Sequence, residues 1–392
     1  MSTLRIGCAL ALSLAMAAGE SAIAARSGQV QPATPSAAKA VAKAKKSPSE
    51  KMAEPWPDEA VLKARRADAE ARRLFQAADA LPVVLSADFK AVNADRRRNS
   101  TKTFPASLRV AGDNQTDLAI PVTLRTRGKL RLDPQVCAFP PLGVAFAKNQ
   151  AAGPFEGQRT LKLITHCQDD ADYDQFVLKE YLAYRLFNLV TPRSFRARLA
   201  KVTYVSAKDG KRLTTRYGVF VEDDEDLARR LDGRVIEFPH TAFKDYDAEA
   251  LNTMMVFEYM IGNTDFSIWG LHNVKAVQTR YRPLFPITWD FDSTGLVSPP
   301  YAMPDPTLHL SGFRDRKYRG PCQTLQALDP TFQLFKSKQA ESMALVDSLP
   351  DLRPVVREQA RRFLADFYAT LDSKDGLKKA FVDGCNPKNN TI

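Results

Sequence analysis

Pro286-Ile287-Thr288-Trp289-Asp290-Phe291-Asp292-Ser293-Thr294-Gly295 alternates apolar and polar side chains until it reaches a glycine, as a short strand running into a turn does. A period of two puts Ile287, Trp289 and Phe291 on one face and Thr288, Asp290 and Asp292 on the other. Two carboxylates then leave the end of an apolar strand in one direction. Close charges of one sign repel, so either a cation sits between them or one carboxyl keeps a proton. Hard divalent ions take such oxygen ligands. A capped turn also accounts for Asp-x-Asp taken alone, so the neighbouring chain has to decide.

Upstream, Leu251, Met254, Met255, Tyr259 and Ile261 recur at helical spacing, and the run stops at Gly262-Asn263. The stop leaves Asn263, Asp265, His272 and Asn273 in a loop behind a packed helix, where a rigid element holds polar groups over a cleft. Asn273 would add an amide oxygen to the two aspartates. Earlier still, Asp174 reads as the cap of a helix over 175–190, with Leu178, Leu182, Leu186 and Leu189 on one stripe and Thr191-Pro192 as the stop. Glu180 shares a second face with Phe176, Ala183 and Phe187. Enclosed there, it needs a cation or several donors, and Lys162 on the preceding strand is a candidate. The alternative lets both groups reach water.

The segments 82–86, 104–110, 118–132, 142–146 and 160–166 read as strands broken by Gly, Asn, Asp or Pro. On the third, Arg125, Arg127, Lys129 and Arg131 alternate, a basic stripe that suits phosphates or is simply a solvated face. Two further strands, 199–205 and 216–221, flank the hairpin signal Lys208-Asp209-Gly210-Lys211. After Glu222 the chain turns to helix and loop. The pattern predicts a β-rich part over 81–221 and a mainly helical part over 222–392.

The 392 residues carry 56 Lys+Arg against 45 Asp+Glu, a formal charge of +11, with 44% apolar residues, 18 Gly and five Cys. That apolar share supplies a core and excludes collagen-like, disulfide-dense miniature and wholly disordered classes. The positive balance suits phosphates, nucleic acid or a lipid surface, and serves solubility equally well. Nucleic-acid binding would rest on charge alone, because no aromatic platform accompanies the basic segments. Arg5, the apolar run 6–18 and Ala22-Ile23-Ala24 make 1–24 a signal peptide cleaved after Ala24. No later stretch approaches about 20 uncharged apolar residues, so the expectation is a soluble exported protein, periplasmic or extracellular.

Residues 25–55, rich in Ala, Lys, Pro, Ser and Gln, read as a disordered basic linker whose Lys39, Lys43, Lys45 and Lys46 either touch an anionic surface or stay solvated. Residues 56–80 read as a charged helix. Cys8 leaves with the signal, and Cys137, Cys167, Cys322 and Cys385 remain without metal-knuckle spacing. An even count in an oxidising compartment favours disulfides. Of three pairings, loop proximity selects Cys137 with Cys167 and Cys322 with Cys385.

Lys162 on a strand, Glu180 on the next helix, Glu222 at a hinge, Asn263-Thr264-Asp265 leading to His272-Asn273, and Asp290-Phe291-Asp292 before Gly295 together resemble the spore-coat CotH-type atypical protein kinases over about 118–297. The order is also similar to the more distant HipA toxins and lipid kinases. The resemblance implies an α+β, two-lobed kinase-like fold with a β-rich first lobe and a mainly helical second lobe, binding ATP with Mg²⁺ or Mn²⁺. It makes Lys162 the phosphate lysine, Glu180 the carboxylate that orients it, and Asp265 the catalytic aspartate that positions or deprotonates an acceptor hydroxyl. Asn273 and Asp290 become the metal-holding pair with Asp292 as a further ligand, while Arg127 lies near the nucleotide and Glu222 at the hinge. Phosphoryl transfer needs little more than such positioning, cations and metal ions. The chain departs from the common pattern in the eight positions between Asp265 and Asn273, the lack of an arginine after Asp265, and the lack of a Gly-rich phosphate loop.

An exported protein meets little ATP, so a kinase-like scaffold that binds a ligand without catalysis stands beside the enzyme, whose acceptor would be an envelope protein. A metal-dependent phosphoesterase built on Asp265, His272, Asp290 and Asp292 would need a second ligand set that the sequence does not supply. No Gly-x-Ser-x-Gly elbow and no zinc-binding pair among the four histidines is present. The basic stretch Arg314, Arg316, Lys317 and Arg319 would either border the acceptor site or form a solvated loop pinned by Cys322.

Overall fold

In β1 (Leu81–Ala87) residues Leu81, Val83, Leu85 and Ala87 are buried while those between them are not, the mark of a strand with one face in a core. The computed structural model describes residues 47–112, 117–149, 151–281 and 283–385. The stretch read as a signal peptide and most of the stretch read as a basic linker lie outside the described residues. After β1 come β2 (Phe104–Ala111), β3 (Asp117–Thr126), β4 (Leu142–Phe146), β5 (Thr160–Ile164), β6 (Ala197–Ser206) and β7 (Arg212–Val221). They form a closed barrel in the order β1-β2-β3-β4-β5-β7-β6. Neighbours pair antiparallel except at the seam, where β6 runs parallel to β1 with Val83 opposite Val202. Closure leaves no sheet edge to cover.

Val83, Leu85, Leu108, Val122, Val144 and Val202 fill the barrel. The outer face of its far wall is apolar too. On β6, Leu199 faces away from Ala200, and on β7, Val219 and Val221 face away from Phe220, so these outward residues join a second core. That core holds α4 (Ala171–Val190) and α6 (Ala248–Ile261). It also takes residues of α7 (Leu325–Ser337), α8 (Gln339–Ser348) and α9 (Pro354–Asp372). A three-stranded sheet in the order β10-β9-β8 lies against it, made of β8 (Gly233–Ile236), β9 (Val274–Thr279) and β10 (Leu284–Thr288). The helices α1 (Pro48–Ala53), α2 (Glu59–Glu70), α3 (Phe89–Ala94), α5 (Asp224–Arg230) and α10 (Lys374–Leu377) complete the α-helices among the described residues.

The expectation of an α+β, two-lobed kinase-like fold is therefore overturned. The strands of 81–221 close into a seven-stranded barrel, and the described residues fall in one compact unit. The physical reason is the double-sided burial of β5, β6 and β7. A wall that is apolar on both faces must pack helices directly on its outside instead of facing them across an open cleft.

Three local readings also change. β3 ends at Thr126; Gly128 at φ +102° turns the chain and Leu130–Leu132 forms a 3₁₀ turn, so the basic stripe is not one strand face and Arg131 is buried. α4 starts at a cap on Asp170, and the Asp174 side chain instead accepts the Tyr217 N–H at 2.8 Å, tying helix to barrel. Part of the stretch read as linker carries α1, where Arg234 donates to the carbonyls of Lys51, Met52 and Glu54. The cysteines join as Cys137–Cys167 and Cys322–Cys385. No helix among the described residues is long and apolar enough to cross a membrane.

At the exit of β7 the acidic run 222–226 meets cations from several elements. Glu222 takes Arg196 and Arg230, Asp224 takes Lys162 and Lys275, and Asp226 takes Arg72 at 3.0 Å. Asp226 is 1% exposed, so removing Arg72 leaves a buried charge with only the longer contacts to Arg159 and Arg229. Arg72→Ala is expected to cost about 3–5 kcal/mol in urea unfolding. A loss below about 1 kcal/mol would show that Arg159 and Arg229, at 3.8 and 3.5 Å from Asp226, suffice.

Candidate functional site

Lys162 sits mid-strand in β5, between Gly143 of β4 and Val221 of β7. Its ammonium pairs with Asp224, donates to the Glu222 carbonyl at 3.3 Å, and lies 4.7 Å from the Phe195 ring and 5.2 Å from the Trp289 ring. Lys275 of β9 reaches the other Asp224 oxygen at 3.0 Å and stands 5.5 Å from Trp289. Arg127, just past β3, places its guanidinium carbon 5.2 Å from the same ring. Three cations thus face one indole, whose electron-rich face favours them. Burial pushes the Lys162 amine down, against the pull of Asp224. Burial alone would raise the Asp224 carboxyl, but Lys162 and Lys275 bring it down to about 2.

Beyond Trp289 the sign reverses. Asp290 adopts φ +66° and donates its N–H to the Tyr184 hydroxyl at 3.0 Å, which ends the strand alternation read from the sequence. Asp292 accepts from the Tyr301 hydroxyl at 3.2 Å and lies 3.8 Å from Arg131. Glu180 is buried, and its Oε1 has no hydrogen-bond partner among the described residues. Arg131, Glu180, Asp292 and Tyr301, with Thr165, His166 and Val297, line a small recess. Burial, then Asp292 and Asp290, push the Glu180 carboxyl well above the usual range. Burial and Asp290 raise Asp292 to about 6, with Arg131 opposing. Glu180 therefore belongs to the acid recess, and the partner of Lys162 is Asp224. Glu222 is fully buried between Arg196 and Arg230 and anchors the segment.

The third part is the loop after α6, which Gly262 ends in the left-handed conformation at φ +65°. Asp265 Oδ1 lies 2.9 Å from His272 Nε2, and Asn273 Nδ2 donates to the Asp265 carbonyl at 2.7 Å and to Oδ2 at 3.3 Å. That orientation leaves the Asn273 amide oxygen as an acceptor for a cation. The His272 bond holds the Asp265 carboxyl below its ordinary value. Lys129 approaches His272 Nδ1 at 3.3 Å. Arg319 donates to the carbonyls of Thr264 and Phe266 on either side of Asp265 at 2.6 and 2.7 Å, and Arg316 donates to those of Met260 and Phe363. Those two arginines of the basic stretch are backbone braces.

Among the described residues, no three His, Cys, Asp or Glu side chains group to hold a metal. The residues present nevertheless fit a cation. Burial and then the repulsion among Asp290, Asp292 and Glu180 raise the Asp292 and Glu180 carboxyls, and a cation among these acids would relieve that repulsion. Magnesium takes one or two carboxylates and completes its shell with phosphate oxygens and water. Asp290, Asp292 and the Asn273 oxygen suit an ion that arrives with a phosphate.

Sequence reading missed Asp224, Lys275, Tyr184, Tyr301 and Glu258. The run Asp223-Asp224-Glu225-Asp226 was the available signal for the first. Glu258, an acid inside an apolar helix, is 1% exposed and takes the Thr288 hydroxyl at Oε1, beneath the Asp265 loop.

No protein-family model matches the chain, and no curated protein gives a significant match. Among solved structures, the crystal structure of a Helicobacter pylori proinflammatory kinase, CtkA, is similar at 12% identity with a TM-score of 0.32, over 64% of this chain and 90% of that one. A likeness at that level carries no argument, so any functional reading stands on the site itself.

Burial raises the Glu258 carboxyl to about 8 from an ordinary 4.5. The folded state then binds the extra proton, so this group's contribution to stability is present below about pH 4.5 and is lost as pH rises through about 8. Glu258→Gln keeps the shape without the titration. Its stability relative to wild type is expected to climb by up to about 1.4 kcal/mol per pH unit across that window. Parallel stability curves for the two proteins would show that Glu258 does not titrate there.

Proposed function

We propose that the chain is a metal-dependent phosphotransferase that moves a phosphoryl group from ATP to a hydroxyl of an envelope component outside the cytoplasm. One observation carries the reading. Within a single step of chain, Trp289 to Asp290, a cluster of cations gives way to a cluster of carboxylates, and Asp265 lies close enough to add its repulsion to Asp292. Three cations against the one Asp224 carboxylate leave a net positive site for a polyphosphate. Lys162 would hold phosphate oxygens, with Arg127 between that lysine and the acid recess.

A divalent ion on Asp290, Asp292 and Asn273 would neutralise charge on the phosphoryl oxygens as transfer proceeds. Asp265 would take the proton of the acceptor hydroxyl. Its side chain is 48% exposed and is fixed from two sides by His272 and Asn273. Arg319, by holding the carbonyls on either side, would keep the loop from swinging. The two disulfides suit an oxidising compartment and support the export reading.

A second reading, binding without transfer, is favoured by the Asp224 contact, since Lys162 is already neutralised while Glu180 stays in the acid recess. Incubating the mature chain with labelled ATP and envelope extract separates the two. Wild type is expected to label an acceptor, and Asp265→Asn to lose at least about a hundredfold in rate. Binding of Mg·ATP without label in wild type would select the binding reading. Equal labelling by both proteins would remove Asp265 from the chemistry.

A further inference from the structure

The acids at the end of β7 are not equivalent. Glu222 and Asp226 are 0% and 1% exposed and lie among arginines, as structural charges do. The Asp224 side chain is 31% exposed and bridges two lysines, one oxygen to Lys162 and the other, at 3.0 Å, to Lys275. Both ammoniums face the Trp289 ring, and the buried indole Nε1 has no hydrogen-bond partner among the described residues. A carboxylate whose two oxygens span two cations has the contact pattern of two phosphate oxygens.

The local fold also lets this carboxylate leave. The cap of α5 is Asp223, whose side chain accepts the Glu225 N–H at 2.8 Å, so Asp224 can swing outward without uncapping the helix. What remains behind is a pair of lysines with Arg127 in electrostatic reach of Lys162.

We propose that Asp224 is an internal anion occupying the phosphate site, and that Lys275 is the second of the two lysines from which a ligand's phosphate displaces it. The proposal rests on the reading above in which Lys162 binds phosphate, and it adds a specificity residue and a built-in competitor to that site. The competitor sets a threshold. A ligand carrying one negative charge gains little over Asp224, whereas a di- or triphosphate brings more charge and more acceptor oxygens to the same cations.

The test is calorimetric titration of the mature chain with inorganic tripolyphosphate, which engages the cations without a base or sugar, alongside Mg·ATP. Asp224→Asn is expected to raise tripolyphosphate affinity by about tenfold, and Lys275→Met to lower it by about tenfold. Asp224→Ser, which shortens the side chain further, is expected to match Asp224→Asn and guards against a packing artefact in either variant. Unchanged or weaker binding in both Asp224 variants would show that the carboxylate organises the lysines and does not compete, and would overturn the proposal. Wild-type affinity in Lys275→Met would also overturn it. If Lys162→Met alone abolishes binding, the phosphate-lysine reading survives that failure. No binding of tripolyphosphate or Mg·ATP by wild type or by either Asp224 variant would overturn both.

Discussion

The acidic turn at the end of β7 is the constraint on which the rest of the structure depends. Within five residues, Glu222, Asp224 and Asp226 receive cations from the residue before β6, from α5, β5 and β9, and from the segment after α2. Buried ion pairs of this kind contribute little net stability compared with apolar packing, because desolvation offsets the attraction. Their effect is geometric. The Asp224 carboxylate, bound by Lys162 of the barrel wall and Lys275 of the small sheet, holds the two in one relative placement. Lys162 and Lys275, from different sheets, meet at Trp289 for that reason.

Much of this fold can be read from the chain alone, and what cannot has physical causes. β4 falls on 142–146 because a five-residue apolar run between prolines and polar turns leaves no other choice. The disulfide pairs follow from loop proximity. Barrel closure is hidden, because the parallel pairing of Leu81–Ala87 with Ala200–Ser206 joins strands more than a hundred residues apart and leaves no local period. The two-sided burial of β6 and β7 is hidden in the same way, since Leu199-Ala200 and Val219-Phe220-Val221 look like ordinary apolar runs until their faces are separated.

Site residues show the same division. Local chemistry marks Asp265, Asn273, Asp290 and Asp292, and the structure sets them around a common region. Local chemistry does not say which acid a lysine will reach. Glu180 lies on the α4 face that meets the acid recess, one turn from Tyr184, whose hydroxyl holds Asp290. Asp224 sits across the strand end from Lys162, a neighbour set by the β7 exit and not by sequence spacing. The left-handed Asp290 is equally invisible to an alternation rule, since a single positive φ redirects the side chain without altering the residue pattern.

The two halves of the site supply complementary deficits. Around Trp289 three cations share the Asp224 carboxylate, and beyond it the carboxyls of Glu180, Asp290 and Asp292 are opposed by Arg131 and Arg127. A polyphosphate and a divalent ion would satisfy both at once, and either alone would satisfy one half. Calorimetric titration of ATP into the mature chain, with and without Mg²⁺, tests this coupling most directly. The account predicts affinity at least about tenfold higher with Mg²⁺, a difference that Asp290→Asn erases. ATP affinity indifferent to Mg²⁺ in wild type would contradict it.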